Sequence, residues 1–251
     1  MKKKAKGFTL IEVMIAVAIV AALGAIGVSI NRSAKERANQ AASMQKMKAL
    51  GAAFVTYTTD KNGLLPFEDA AGTDDWPNAA KPESKDAWYN ALPQLMGSKS
   101  VGELGMTNPE GFYDETYPLR LPGAPYPSGS KRLGSPMFAI AMNSRLQRKN
   151  DDGTKLQGRL EQIQEPAKTV VLLERGLPGD KKTMPSQRGF DGSPKANPRA
   201  FAARHNQKGC LIFADGHAEL HAASDLLTAG GGIVVPQRSI VWTLNPDDDP
   251  N

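Results

Sequence analysis

Gly7-Phe8-Thr9-Leu10-Ile11-Glu12-Val13-Met14-Ile15-Ala16-Val17 is the stretch on which the fold turns. Lys2, Lys3, Lys4 and Lys6 precede it, and apolar character continues beyond it to Ile30. As helix, rising about 1.5 Å per residue, Phe8 to Ile30 spans roughly 34 Å, enough to cross a bilayer with some tilt. Lysines on one side alone predict a cytoplasmic leader and an outward-facing C-terminal part. A secretory signal has a shorter apolar core closed by a small-residue cleavage site, whereas this run continues through its alanine pairs. Glu12 does not fit a plain anchor. A carboxylate in hydrocarbon costs about 2 kcal/mol or more unless it is paired or neutral, so Glu12 calls for a partner.

Working outward, Asn31 to Thr59 holds no proline and one glycine, Gly51. Ala34, Ala38, Ala41, Met44, Met47, Leu50, Gly51, Phe54 and Val55 recur near helical spacing, with charged and amide residues between them. The pattern predicts one helix from Phe8 to Thr59, apolar all round in its first half and amphipathic in its second. Asp60-Lys61-Asn62-Gly63 supplies the turn chemistry that ends it. The expected organisation is a leader over 1–7, a membrane or filament-core helix over 8–30, an amphipathic continuation over 31–59 and a head over 60–251.

Gly7-Phe8-Thr9-Leu10-Ile11-Glu12 resembles the processing site of type IV prepilins and type II secretion pseudopilins. The resemblance implies that a membrane peptidase cuts after Gly7 and methylates Phe8 as the new N-terminus. It also implies that Glu12 acts in assembly, meeting the new amine of a neighbouring subunit. Such a pairing neutralises two groups otherwise stranded in apolar surroundings. Arg204-His205, followed after nine residues by Asp215-Gly216, resembles the H-X9-DG motif of one family of prepilin-type proteins. Met47 to Tyr57, Asn62 to Pro66 and Trp88 to Pro93 resemble its helix end, exit loop and Trp-containing segment. The cysteine pair that closes the C-terminal loop of many pilins is missing, which favours a pseudopilin-like subunit over an adhesive major pilin. Implied partners are a prepilin peptidase, other pilin or pseudopilin subunits in one filament, and the inner membrane, with the head periplasmic or extracellular.

The formal charge of +5 comes from 31 Lys and Arg against 26 Asp and Glu. Four of those lysines precede the apolar run, so the remainder is near neutral, and no basic stripe interleaved with aromatics points to nucleic acid. Cys210 is the single cysteine, which excludes an internal disulfide. Its place in Cys210-Leu211-Ile212-Phe213 makes it a small buried hydrophobe.

The head is expected to be α+β, a small, mostly antiparallel sheet packed on the long helix. Gly63 to Gly134 reads as ordered loop with one helix at Lys85 to Met96, opened by Ser84, turning Trp88, Leu92 and Leu95 inward, with Pro93 inside it. Strand signals lie at 136–142, 169–174, 209–214 and 217–222, with a last strand at 233–235 or 239–244. Asp215-Gly216 predicts a two-residue hairpin. In a strand, His217, Glu219 and His221 share one face, but the two histidines stand roughly 13 Å apart. His205, Asp215 and His217 are candidate metal ligands, and His205 could meet Asp215 across the fold. Calcium is a candidate for Asp151-Asp152-Gly153 and Asp247-Asp248-Asp249, although neither forms a full calcium loop. With no nucleophile elbow, phosphate loop or zinc helix, the chain is not read as an enzyme. The alternative is a membrane-tethered periplasmic enzyme or binding domain that uses the His205 and Asp215 region.

Overall fold

The computed structural model describes residues 10–69, 75–151 and 155–251; within those ranges the side chains of 21–30, 32, 133, 148, 149 and 155 are not described. Helix α1 runs Leu10–Asp60 as one element, as the unbroken pattern predicts. It ends in a Schellman motif. The Gly63 N–H donates to Thr58 O at 2.7 Å and the Asn62 N–H to Thr59 O at 3.2 Å. Asn62 and Gly63 adopt φ of 52° and 83°, the left-handed backbone that this closure requires.

Short helices α2 (Trp76–Ala79), α3 (Trp88–Leu95) and α4 (Val101–Thr107) follow. The expected helix at 85–96 starts three residues early, and α2 and α4 were not foreseen. Ser84 does not cap α3; its hydroxyl donates to Asn78 O at 2.7 Å, and Ala87 stands at the N-cap. Leu95 points outward at 43% exposure, while Trp88 and Leu92 are buried as expected. What fixes this region is buried Asn90. Its Nδ2 donates to Ala79 O and Ser84 O, and its Oδ1 accepts from the Gly102 N–H, all at 2.8 Å. One side chain thus ties three helices whose periodicity is too short to read.

The strands are β1 (Ile140–Asn143), β2 (Arg148–Lys149), β3 (Lys155–Leu156), β4 (Val170–Glu174), β5 (Lys195–Ala196), β6 (Lys208–Phe213) and β7 (Ala218–Ala222). The main sheet has the order β5-β1-β4-β6-β7, antiparallel except for the β1–β5 pair. One face, carrying Ile140, Leu172, Cys210 and Ile212, packs on Met47, Leu50 and Phe54 of α1 and on Trp88 and Phe138. The other, carrying Leu173, Leu211 and Phe213, is covered by Phe201, Leu226, Leu227, Ile233, Ile240 and Trp242. Neither late strand forms. Val241 makes a parallel bridge to Thr169, and Ile233 an antiparallel bridge to Leu227. Ile233, Ile240 and Trp242 are apolar because they cover a sheet face, while Val241 adds only a single bridge beside β4.

The hairpin between β6 and β7 has a three-residue loop rather than two. The Phe213 N–H donates to His217 O at 3.0 Å and the Gly216 N–H to Phe213 O at 2.9 Å, with Gly216 at φ 91°. This is a turn closed by a left-handed glycine. The second half of α1 also docks later than its pattern suggests. Ala34, Ala38 and Ala41 are exposed, and burial begins at Ser43. Among the described residues no helix is long and apolar enough to cross a membrane; the described side chains of α1 stop at 20 and resume at 31, apart from 32.

Candidate functional site

Gly7 and Phe8 lie outside the described residues. Glu12 lies in the first described turn of α1. Around it Leu10, Ile11, Val13, Met14, Ile15, Val17, Ile19 and Val20 are all exposed, Leu10 at 79%. Covering a large apolar side chain is worth about 1.5–3 kcal/mol. Eight on one stretch of helix form a surface that demands an apolar environment or a partner.

The head is locked to α1 at three levels. In the middle, Lys46 Nζ donates to the carbonyls of Glu115, Tyr117 and Arg120 at 2.7, 2.7 and 2.9 Å. Two residues nearer the protruding half, Cys210 Sγ lies 3.8 Å from Met44 Sδ. Burial pushes the Cys210 thiol far up from its ordinary value, so this cysteine is inert, as its apolar run implies. At the far end Gly51 faces Gly216. A Cβ on Gly51 would stand 2.2 Å from Gly216 O, so neither backbone tolerates a side chain there.

This arrangement explains the spacing of His205 and Asp215-Gly216. The residues between them are β6 and its turn, and β6 runs along α1. The strand's length carries the chain from a turn near the protruding end of the helix to the Gly51 contact. His205 is buried, but its partner is not Asp215. Its Nε2 lies 3.1 Å from Glu174 Oε1. Arg204 reaches the other Glu174 oxygen at 3.4 Å, binds Asp180 through Nε and Nη2 at 3.0 and 2.6 Å, and donates to Arg175 O. Glu174 is fully buried, and Arg204, His205 and Asp180 nearly so. The sequence reading missed Glu174 and Asp180. The available signal was Glu174 itself, a charge closing the apolar run Val170-Val171-Leu172-Leu173, because a buried carboxylate needs cationic partners.

Asp215 instead serves its own turn, accepting from His217 Nδ1 at 2.6 Å and from the His217 N–H at 3.1 Å. The His217 ring stacks on Phe213 at 4.4 Å. His221 lies 3.3 Å from Glu219 and 3.6 Å from Asp225. His205, Asp215 and His217 therefore do not converge, because Glu174 claims the first and the turn the other two. Among the described residues no group of three His, Cys, Asp or Glu side chains could hold a metal ion. Of the Asp-rich turns, 152 and 153 lie outside the described residues. Asp249 accepts from the Asn251 N–H and Nδ2, both at 3.0 Å, which occupies one of its oxygens.

Residues 2–28 match the family model of the prokaryotic N-terminal methylation motif. This chain carries a prepilin-type N-terminus. The methylation motif spans the four lysines before Gly7, then Gly7, Phe8, Glu12 and the exposed apolar turns of α1. Such a motif points to a processed, membrane-anchored subunit rather than to an enzyme. No curated protein and no solved structure matches the chain.

Proposed function

We propose that this protein is a filament subunit of the type IV pilin and type II pseudopilin kind. The observation that carries the reading is the methylation motif at residues 2–28, set on a helix whose first described turns are apolar and exposed. A prepilin peptidase cuts after Gly7 and methylates Phe8. The helix from Phe8 to Ile30 lies in the inner membrane before assembly and in the filament core after it. Glu12 pairs with the amine of a neighbouring Phe8, which sets the axial register between subunits. The head, held on the second half of α1, lines the outside of a type II secretion pseudopilus or a type IV pilus-like filament.

Intact mass and N-terminal sequencing of protein from its native membrane test the first step. A chain beginning at methylated Phe8 is expected, and one beginning at Met1 would sink the reading. Gly7→Ala should slow cleavage at least tenfold. Glu12→Ala should leave processing intact and lower filament yield by more than tenfold; normal yield would remove Glu12 from the assembly step.

A further inference from the structure

The rim of the head nearest the protruding part of α1 carries, with the helix turn beside it, a cluster of cations, a basic collar on one side of the helix. Among the described side chains of α1, Asn39 and Gln40 are the first to be partly covered, and Asn39 lies against Gly123 of the head. The step from Ile30 to Asn39 rises about 13 Å along the helix. A cleft of roughly 400 Å³ opens there, lined by Glu36 on the helix side and by Lys181, Arg204, Asn206 and Gln207 on the head side. Lys35 and Arg37 flank Glu36 on α1, Lys182 follows Lys181, and Lys208 closes the turn after Gln207; all five of these cations are exposed. Of the two acidic groups that line the cleft, Asp180 is bound by Arg204 and Glu36 stands among the five exposed cations.

The head-side turn is also unusual in backbone. Asn206 and Gln207 both have positive φ, 50° and 64°. His205 and Lys208 exchange both backbone hydrogen bonds across them, at 2.7 and 3.0 Å. Such a conformation is costly for two consecutive non-glycine residues and persists only where its surroundings impose it. Here Glu174 holds His205, and Asp180 holds Arg204. The buried charges thus brace a strained turn that carries Lys208 and stands beside Lys181.

We propose that this collar binds anionic phospholipid headgroups and seats the unassembled subunit on the membrane surface. The inference rests on the membrane reading of residues 8–30. With that segment inserted, the rim stands about 13 Å or less beyond the hydrocarbon, within reach of the headgroups and close to the Debye length of about 10 Å at 0.1 M salt. A cluster of exposed lysine and arginine complements a phosphate-bearing surface. Leaving that surface on assembly releases the collar to water or to a neighbouring subunit.

The test is amide hydrogen exchange on the full chain in nanodiscs of phosphatidylcholine alone and with 30% phosphatidylglycerol. Exchange over 179–183 and 203–208 is expected to slow about fivefold with the anionic lipid. The slowing should vanish in 0.5 M NaCl and in the exposed-surface variant K181E/K182E/K208E. Equal exchange in both lipids, with residues 12–28 protected, overturns the lipid proposal and leaves the membrane reading standing. A chain that does not enter the discs overturns the membrane reading itself. Slowing that depends on two chains sharing a disc assigns the collar to a protein contact and also overturns the proposal.

Discussion

At the scale of single residues, two contacts set the head. Gly51 and Gly216 are the positions at which helix and hairpin touch backbone to backbone. Gly51→Ala places a methyl 2.2 Å from a carbonyl oxygen that belongs to a fixed turn. Overpacking of this kind costs about 1–3 kcal/mol. Urea unfolding of the detergent-solubilised protein, followed by the fluorescence of the buried Trp76, Trp88 and Trp242, should show that loss. Ala52→Ser, on the exposed side of the same turn, should shift the midpoint little. The second contact is the Glu174 cluster. Arg204→Met leaves a fully buried carboxylate with His205 alone and removes the cation from Asp180. A loss of about 3–5 kcal/mol is expected. His205→Gln, which keeps a donor near Glu174, should cost less than half as much. Equal losses from the two variants would show that the guanidinium is not the dominant partner.

At the scale of elements, Lys46 ties α1 to the segment 115–120 of the head. Lys46→Met keeps the aliphatic stem and removes the donor from three carbonyls. Bonds to a charged donor are worth roughly 1.5–3 kcal/mol. Amides over 115–121 should exchange faster in this variant, while those of β4 and β6 stay protected. Helix α4 opens with a capping box in which the Ser100 hydroxyl accepts from the Glu103 N–H at 3.1 Å, and Glu103 accepts from the Ser100 N–H at 3.0 Å. That backbone N–H, foremost, holds the Glu103 carboxyl below its usual value of 4.5. A lowered carboxyl pKa contributes stability that is present above the unfolded value and lost as pH falls through the folded one. Corrected for intrinsic exchange, protection of the α4 amides should therefore fall as pH drops below the ordinary carboxyl value of 4.5, and the fall should be absent in Glu103→Gln. The cap is exposed, so the effect is local.

At the scale of the whole molecule, the head should resist mild alkali and then fail together. Burial raises the phenols of Tyr57, Tyr117 and Tyr126 well above the usual value of 10, and pushes Tyr113 up to about 12. A raised phenol contributes stability that is complete below the unfolded pKa near 10 and is lost as pH rises through the folded values. Tyrosinate absorbance at 295 nm should rise only slightly at pH 10.5. It should then jump with loss of tryptophan burial near or above pH 12. Smooth ionisation of all tyrosines at pH 10 would contradict the burial described for these rings.

The sequence by itself determined the long helix, its end at Asn62-Gly63, the β6–β7 hairpin and the processing signal. Each of these is local: uninterrupted helical periodicity, a left-handed turn, an Asp-Gly between apolar runs, a glycine before an apolar helix. It also marked His205 and Asp215-Gly216 as a pair, but could not say what joined them. Only the tertiary structure decided that His205 answers to Glu174, that Gly216 meets Gly51, and that Asn90 ties three short helices. Those contacts link residues far apart in the chain, and periodicity carries no information about which distant carboxylate, backbone or carbonyl a side chain will reach. The same reason explains the two late strands that do not form: an apolar run states that it must be buried, while its place in the sheet or over it is set by the elements already packed there.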